Sequence, residues 1–106
     1  MPWLSVCAFE DVPDGGGIAV VADVGRIAVF RVGGEVYAMD NACSHRRLPL
    51  HDGSLGDDLI RCRTHGSCFD LHTGAVVRGP ATRPVRAYAT RVEAGMVEIE
   101  IEIEVK

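Results

Sequence analysis

The C-terminal stretch alternates between two chemistries. Val97, Ile99, Ile101, Ile103 and Val105 occupy one parity, and Glu98, Glu100, Glu102 and Glu104 the other. Successive side chains of a strand point to opposite faces. The segment from Met96 to Val105 therefore reads as one strand with a buried face and a solvated face. A row of like charges on that outer face also discourages edge-to-edge pairing. The same row has a second possible use, as an acidic docking strip for a basic partner.

The rest of the chain repeats the theme in shorter pieces. Apolar runs broken by Gly, Pro and Asp predict strands at Leu4–Phe9, Ile18–Asp23, Arg26–Val32, Glu35–Met39, Leu59–Arg61, Cys68–Leu71, Ala75–Val77 and Val85–Ala89. Gly33-Gly34 between Val32 and Glu35 is a two-residue hairpin signal. His72-Thr73-Gly74 and Glu93-Ala94-Gly95 read as further tight turns. No segment carries a long helical period, so the expectation is an all-β sandwich or barrel. At 106 residues, 47% apolar and 25% charged, the chain is the size of a single domain, residues 1–106.

Charge and hydropathy narrow the function classes. Eleven basic residues stand against 15 acidic ones, a net charge of −4, which argues against a nucleic-acid surface. No run approaches the roughly 20 apolar residues of a membrane span. The start, Met1-Pro2-Trp3-Leu4-Ser5, lacks the basic and apolar regions of a secretory signal. The expected setting is the cytoplasm, where thiols stay reduced. Four Cys beside four His then point to metal before disulfides.

One segment breaks the strand pattern. Residues 40–58 hold few strand formers, and a long irregular loop in a compact domain is usually functional. Cys43-Ser44-His45 lies near its start; sixteen intervening residues separate it from Cys62-Arg63-Thr64-His65. Each pair offers one thiolate and one imidazole, in the same order, at strand ends or in loops. Structural zinc sites space their Cys pairs as C-x2-4-C and their His pairs as H-x3-5-H. The single residue between Cys43 and His45 is too short for that pattern. Two Cys and two His on two loops suit a binuclear iron centre, with thiolates on one iron and imidazoles on the other. Cys43 and Cys62 would hold the first iron, His45 and His65 the second; a zinc site on the same four residues remains open.

The stretch from Cys43 to Gly53, with Pro49-Leu50 inside it, and the stretch Cys62-Arg63-Thr64-His65-Gly66-Ser67-Cys68-Phe69-Asp70-Leu71-His72-Thr73-Gly74 resemble the two cluster loops of Rieske [2Fe–2S] proteins. Gly79-Pro80-Ala81 resembles the family's proline loop, which covers the cluster from the side. The resemblance implies an antiparallel β-sandwich scaffold with a small cluster-binding subdomain at roughly residues 40–82. It implies one [2Fe–2S] cluster per chain on Cys43, His45, Cys62 and His65.

That ligand set decides the chemistry. Two Fe(III), two sulfides and two thiolates sum to a neutral oxidised site, against a doubly negative one for four thiolates. An electron enters a neutral site more easily, which lifts the potential into the range of about −150 to +300 mV. Respiratory Rieske proteins carry an extra Cys in each loop, joined as a disulfide; Leu48 and Thr64 stand at those positions here. A Ser and a Tyr of the family donate hydrogen bonds to the cluster; Ser67 fits the first position, and Phe69 at the second has no hydroxyl. The lower part of the range is therefore expected. Arg46, Arg47, Arg61 and Arg63 flank the ligands; ringing the cluster, they would form a basic patch that steers an acidic partner.

The remaining candidates read as structural. Cys7 and Cys68 are expected as small buried thiols, His51 and His72 as exposed turn residues, and Trp3, Phe9, Phe30, Tyr37 and Tyr88 as core or half-buried strand residues. The resemblance implies a monomeric ferredoxin that passes single electrons from a flavin-dependent ferredoxin reductase to a terminal Rieske oxygenase such as a ring-hydroxylating dioxygenase. The small subunit of an assimilatory nitrite reductase-type complex is the alternative. These 106 residues hold no 2-His-1-carboxylate iron domain, so the expectation is a carrier and not the oxygenase itself.

Overall fold

The computed structural model describes residues 2–44, 48–63 and 66–101. Within them the chain forms β1 (Trp3–Ala8), β2 (Gly16–Ala22), β3 (Gly25–Val32), β4 (Glu35–Asp40), β5 (Ser54–Gly56), β6 (Leu59–Arg61), β7 (Cys68–Asp70), β8 (Val76–Arg78), β9 (Ala87–Tyr88), β10 (Thr90–Glu93) and β11 (Met96–Glu100). A single 3-10 turn, Phe9–Asp11, follows β1. The strands pair antiparallel into three sheets, ordered β1-β11-β10, β2-β3-β4-β9 and β5-β6-β7-β8.

β3 explains how the sheets stack. Ile27, Ala28, Val29 and Phe30 are all fully buried, as expected of a strand covered on both faces. Ile27 and Val29 join one apolar cluster with Val12, Val97, Ile99 and Tyr88. Ala28 and Phe30 join a second with Met39, Leu50, Ile60 and Phe69. β4 divides in the same way, with Val36 and Ala38 in the first cluster and Met39 in the second. The sheet containing β3 is thus the middle layer. It forms the sandwich scaffold with β1-β11-β10 on one side and supports the small β5–β8 subdomain on the other.

Most of the expected strands are present, with changes that have local causes. The irregular stretch at 40–58 contains β5, joined to β6 by Asp57-Asp58. Both aspartates adopt left-handed backbone, φ 52° and 61°, the conformation that a two-residue primed turn needs and that Asp tolerates. The strand expected at Val85–Ala89 shortens to β9 because the chain changes sheet at Ala89. Tyr88 pairs with Ala38 of β4, whereas the Ala89 carbonyl accepts from Glu100 N–H and Thr90 already pairs with β11. Of the C-terminal strand, β11 ends at Glu100, and residues 102–106 lie outside the described residues. Val97 and Ile99 are fully buried as the alternation requires. Glu98 on the opposite face is paired, accepting from Arg91 at 2.6 Å and from the Ser5 hydroxyl at 3.1 Å, so it is not part of an open acidic strip.

A side-chain hydrogen bond within the middle sheet holds the end of β4, from which the first loop departs. Tyr88 donates its hydroxyl to Asp40 Oδ1 at 2.6 Å. Burial, reinforced by the Asp40 carboxylate, pushes the phenol up to about 12. A group whose folded pKa is raised contributes stability that is complete below its unfolded value, about 10 here, and that is lost as pH rises through the folded value. Thermal unfolding followed across alkaline pH should therefore show stability declining between about pH 10 and 12. Tyr88→Phe should reduce that decline, leaving what the raised Tyr37 and Cys7 contribute, and cost about 1 kcal/mol at neutral pH. An unchanged alkaline decline in the variant would contradict the assignment.

Candidate metal centre

The chain segments that follow β4 and β6 are closed by the same bond. Cys43 N–H donates to the Leu48 carbonyl at 2.7 Å, and Cys62 N–H donates to the Ser67 carbonyl at 2.7 Å. In both, the cysteine opens a loop and the fifth residue after it supplies the acceptor. Gly66, at φ +76°, turns the second loop back so that its own N–H reaches the Cys62 carbonyl at 3.1 Å. Both cysteine side chains enter the cluster built on Phe30, Leu50, Ile60 and Phe69, and neither is more than 2% exposed. No disulfide forms among the four cysteines.

His45 and His65, the other two expected ligands, lie outside the described residues, as do Arg46, Arg47 and Thr64. In sequence the two histidines fall within the segments that the Cys43 and Cys62 bonds close. Among the described residues, no set of three or more His, Cys, Asp or Glu gathers as a metal site. Of the four expected ligands, the buried pair Cys43 and Cys62 lies among the described residues.

Asn41, Ser44 and the Gly79–Ala81 segment hold the two loops in place. Asn41, buried just ahead of Cys43, accepts the N–H groups of Leu50 and His51 on Oδ1 at 2.7 and 2.9 Å. With Oδ1 so fixed, its Nδ2 faces His51 Nδ1 at 2.9 Å, and that ring nitrogen must accept. Ser44 Oγ donates to the Arg83 carbonyl at 2.5 Å. Gly79, at φ +97°, lies against the second loop so closely that a Cβ there would stand 2.5 Å from Ser67 Cα. Beside it, Ala81 N–H donates to Ser67 Oγ at 3.2 Å.

A scan against family models matches residues 2–89 to the Rieske [2Fe-2S] domain. The chain belongs to the Rieske family. It is 36% identical over 99 residues to the anthranilate 1,2-dioxygenase ferredoxin subunit of Burkholderia cepacia, covering 93% of this chain and 92% of that one. A ferredoxin from Sphingomonas yanoikuyae B1 superposes with a TM-score of 0.86 at 35% identity, covering 95% of this chain and all of that one. The ferredoxin in a complex of reduced oxygenase and oxidised ferredoxin from carbazole 1,9a-dioxygenase superposes at 0.82 and 35% identity, covering 98% and 97% of the two chains.

The Rieske family carries a [2Fe–2S] cluster, one per chain, and the described residues fit one. Cys43 and Cys62 are buried cysteines outside any disulfide, and their backbones are fixed by equivalent bonds. Ser67 is fully buried. Its oxygen accepts from Ala81, and among the described residues nothing accepts its own proton. A buried hydroxyl is normally satisfied in both roles, so a donor is left available on this loop. Phe69, expected without a donor, is fully buried as wall.

Other expected residues fall differently. Arg63 is paired with Asp52 at 3.1 Å, and Arg61 packs its guanidinium over Gly66. Cys68 is buried, its Sγ 3.6 Å from the Gly66 carbonyl; Cys7 is half-buried, and burial followed by Asp11 pushes its thiol up. His72 is exposed as expected and meets Tyr37 edge-on with centroids 4.9 Å apart. His51 is a correction: it is half-buried and bonded to Asn41. Sequence reasoning missed Asn41 altogether. Its only signal is an uncharged amide two residues ahead of a cysteine, and what it clamps depends on a loop closure ten residues on.

Two substitutions test this construction. Asn41→Ala leaves two buried N–H groups without acceptors and should cost about 2–4 kcal/mol, with reduced cluster loading read from visible absorption. Gly79→Ala combines a positive φ with a backbone clash and should lower Tm and loading together. Wild-type loading in either variant would show that its contacts do not hold the loops.

Proposed function

We propose that this Rieske protein is a one-electron carrier, the ferredoxin component of an oxygenase system, with Cys43 and Cys62 on one iron and His45 and His65 on the other. The observation that carries the reading is the pair of matching cysteine-closed loops on one apolar wall, in a chain similar to ferredoxin subunits over nearly its whole length. When bound, the cluster takes up and returns one electron.

The protein's own residues set the conditions for that exchange. Phe30, Leu50, Ile60 and Phe69 line the wall behind both cysteines and exclude water from the sulfur side, where the dielectric controls the potential. The Ser67 hydroxyl supplies a donor that favours the more negative, reduced state. Four protein ligands leave no iron position for a substrate, so the protein carries charge and performs no reaction of its own.

The ferredoxin relatives are named as subunits of dioxygenase systems, and one neighbour is seen complexed with its oxygenase. These support a terminal Rieske oxygenase as acceptor here and a flavin-dependent ferredoxin reductase as donor. Among the described residues no helix is long and apolar enough to cross a membrane, and we place the carrier in the cytoplasm as a monomer. The nitrite reductase-type alternative has less support, since the named relatives are dioxygenase ferredoxins.

The ligand assignment is tested by EPR of the reduced protein. Mixed imidazole and thiolate ligation should give a lower average g than four thiolates. Substituting His45→Cys adds a negative charge to the centre and should lower the potential or abolish the cluster. A colourless protein with stoichiometric zinc, or a His45→Cys variant with unchanged spectrum and potential, contradicts the proposal.

A further inference from the structure

Charge is distributed along this chain very unevenly. Three segments of the sequence, the two that carry the expected ligands (43–51 and 61–68) and the one that follows β8 from Arg78 (78–86), contain Arg46, Arg47, Arg61, Arg63, Arg78, Arg83 and Arg86 and no Asp or Glu. The rest of the chain holds four basic residues against all 15 acidic ones. Arg46 and Arg47 lie outside the described residues; the other five are all exposed.

These arginines are also mostly unused within the fold. Arg31 and Arg91, in the scaffold, are engaged: Arg31 lies 4.3 Å from the Phe9 ring and donates to the Gly33 carbonyl, and Arg91 lies 4.4 Å from the Trp3 ring and binds Glu98. Near the centre, Arg63 pairs with Asp52 and Arg86 stacks on Tyr88. Arg61, Arg78 and Arg83 make no side-chain hydrogen bond or ion pair among the described residues. Arg61 and Arg78 flank Cys68 directly across β6, β7 and β8. Arg83 and Arg86 stand with Asp40 and Ser44 around a cleft that has Cys43 in its wall. Asp52 pairs with Arg63, and Asp40 and Asp57 lie nearby, but no ion pair to Arg61, Arg78 or Arg83 forms among the described residues; their charge is left for a partner's carboxylates to answer.

We infer that the cluster-bearing end of this protein is a docking surface for the acidic face of a redox partner protein, steered by Arg61, Arg78, Arg83 and Arg86. The inference rests on the carrier reading above and specifies the chemistry of the partner. Nucleic acid fits less well. The segments carry no Phe, Tyr or Trp on which bases could stack, and the excess of acidic residues elsewhere repels an extended polyanion. A partner that presents carboxylates locally meets the arginines and avoids the acidic body.

The test uses the reduced holoprotein and two small oxidants of opposite charge, hexacyanoferrate(III) and tris(phenanthroline)cobalt(III). Each reaction moves one electron from the reduced cluster to the probe metal, without bond formation. A molecule of net charge −4 that behaved as a uniform body would repel the anionic probe, and salt would speed the reaction. Local steering predicts the reverse: the rate with hexacyanoferrate(III) should fall about threefold or more between ~20 and ~300 mM salt, as screening shortens the reach of the arginines. The cationic probe should show the opposite trend. Combining Arg78→Gln with Arg83→Gln should lower the low-salt anionic rate and flatten its salt dependence, with the EPR spectrum unchanged. Poly-L-glutamate should slow the anionic probe at low salt. Stronger inhibition by duplex DNA or phosphatidylserine vesicles at equal charge would overturn an acidic protein as partner. A rate that rises with salt, or is flat, in a protein with the mixed-ligand EPR spectrum would overturn the docking surface and leave the carrier reading standing. Absence of that spectrum would overturn both.

Discussion

Everything around the centre depends on β3 being buried on both faces. Its four apolar residues, Ile27 to Phe30, alternate between two cores. One core joins the scaffold sheets, and the other is the wall into which Cys43 and Cys62 project. A single strand therefore fixes the metal-binding half against the half that provides most of the β-structure. Truncating Phe30 would open the second core at a cost of the order of 3–5 kcal/mol, directly behind the sulfurs. Gly17 shows how tightly this region is fitted: a Cβ there would stand 2.5 Å from the Phe30 ring and 2.9 Å from the His51 carbonyl. The neighbouring strand, the aromatic wall and the end of the first loop meet with no space for a methyl group.

On that wall the two loops are built alike and secured differently. Both are closed by a cysteine N–H onto the carbonyl five residues later, which fixes each cysteine's backbone. The first loop is then pinned from within by the Asn41 side chain, which spans from its start to Leu50 and His51. The second is pinned from outside by the Gly79-to-Ala81 segment, through the Ser67 hydroxyl and the close approach of Gly79. That segment is anchored in its turn by Val85 N–H on the Gly74 carbonyl. Gly74 leaves no alternative there, since a Cβ would overlap the Val85 carbonyl oxygen. The turn carrying Gly74 is held by Asp70, whose Oδ1 accepts from His72 and Thr73 N–H at 2.7 and 3.0 Å; those bonds hold its carboxyl below the usual range.

What the sequence discloses depends on whether a feature is local. The alternation around Val97 and Ile99 and the apolar run of β3 are periodic, and both appear where the pattern puts them. Gly33, at φ +63° between Val32 and Glu35, makes the hairpin its doublet announces. The Asp57-Asp58 turn was hidden because two aspartates imitate an Asn-Gly turn without its usual letters. β10 was hidden because Thr90 to Glu93 is mostly polar and gains strand form from pairing with β11, an element that arrives later in the chain. For the centre, residue type and spacing named the cysteines as candidates, and the resemblance of the motifs around them gave the family. They could not disclose Asn41, whose role requires Leu50 and His51 to return beside it, nor that Arg63 would be neutralised by Asp52 while Arg78 and Arg83 were left unpaired.

These features together separate rigidity from recognition. The sulfur side of the centre is enclosed by carbon, backbone bonds and one hydroxyl, so a change of one electron meets dipoles that are already in place and little that must reorganise. Recognition is assigned to the rim, where long arginine side chains remain in solvent and can be changed without touching the wall. The chain concentrates its basic residues in the segments that carry the expected ligands and the one that follows β8, and places its acidic ones elsewhere. An approaching partner with an acidic face is thus drawn toward the end at which an electron has the shortest distance to travel and pushed away from the rest. In a carrier with no substrate to recognise, selectivity has to reside in that orientation, because cluster chemistry alone does not distinguish one redox partner from another.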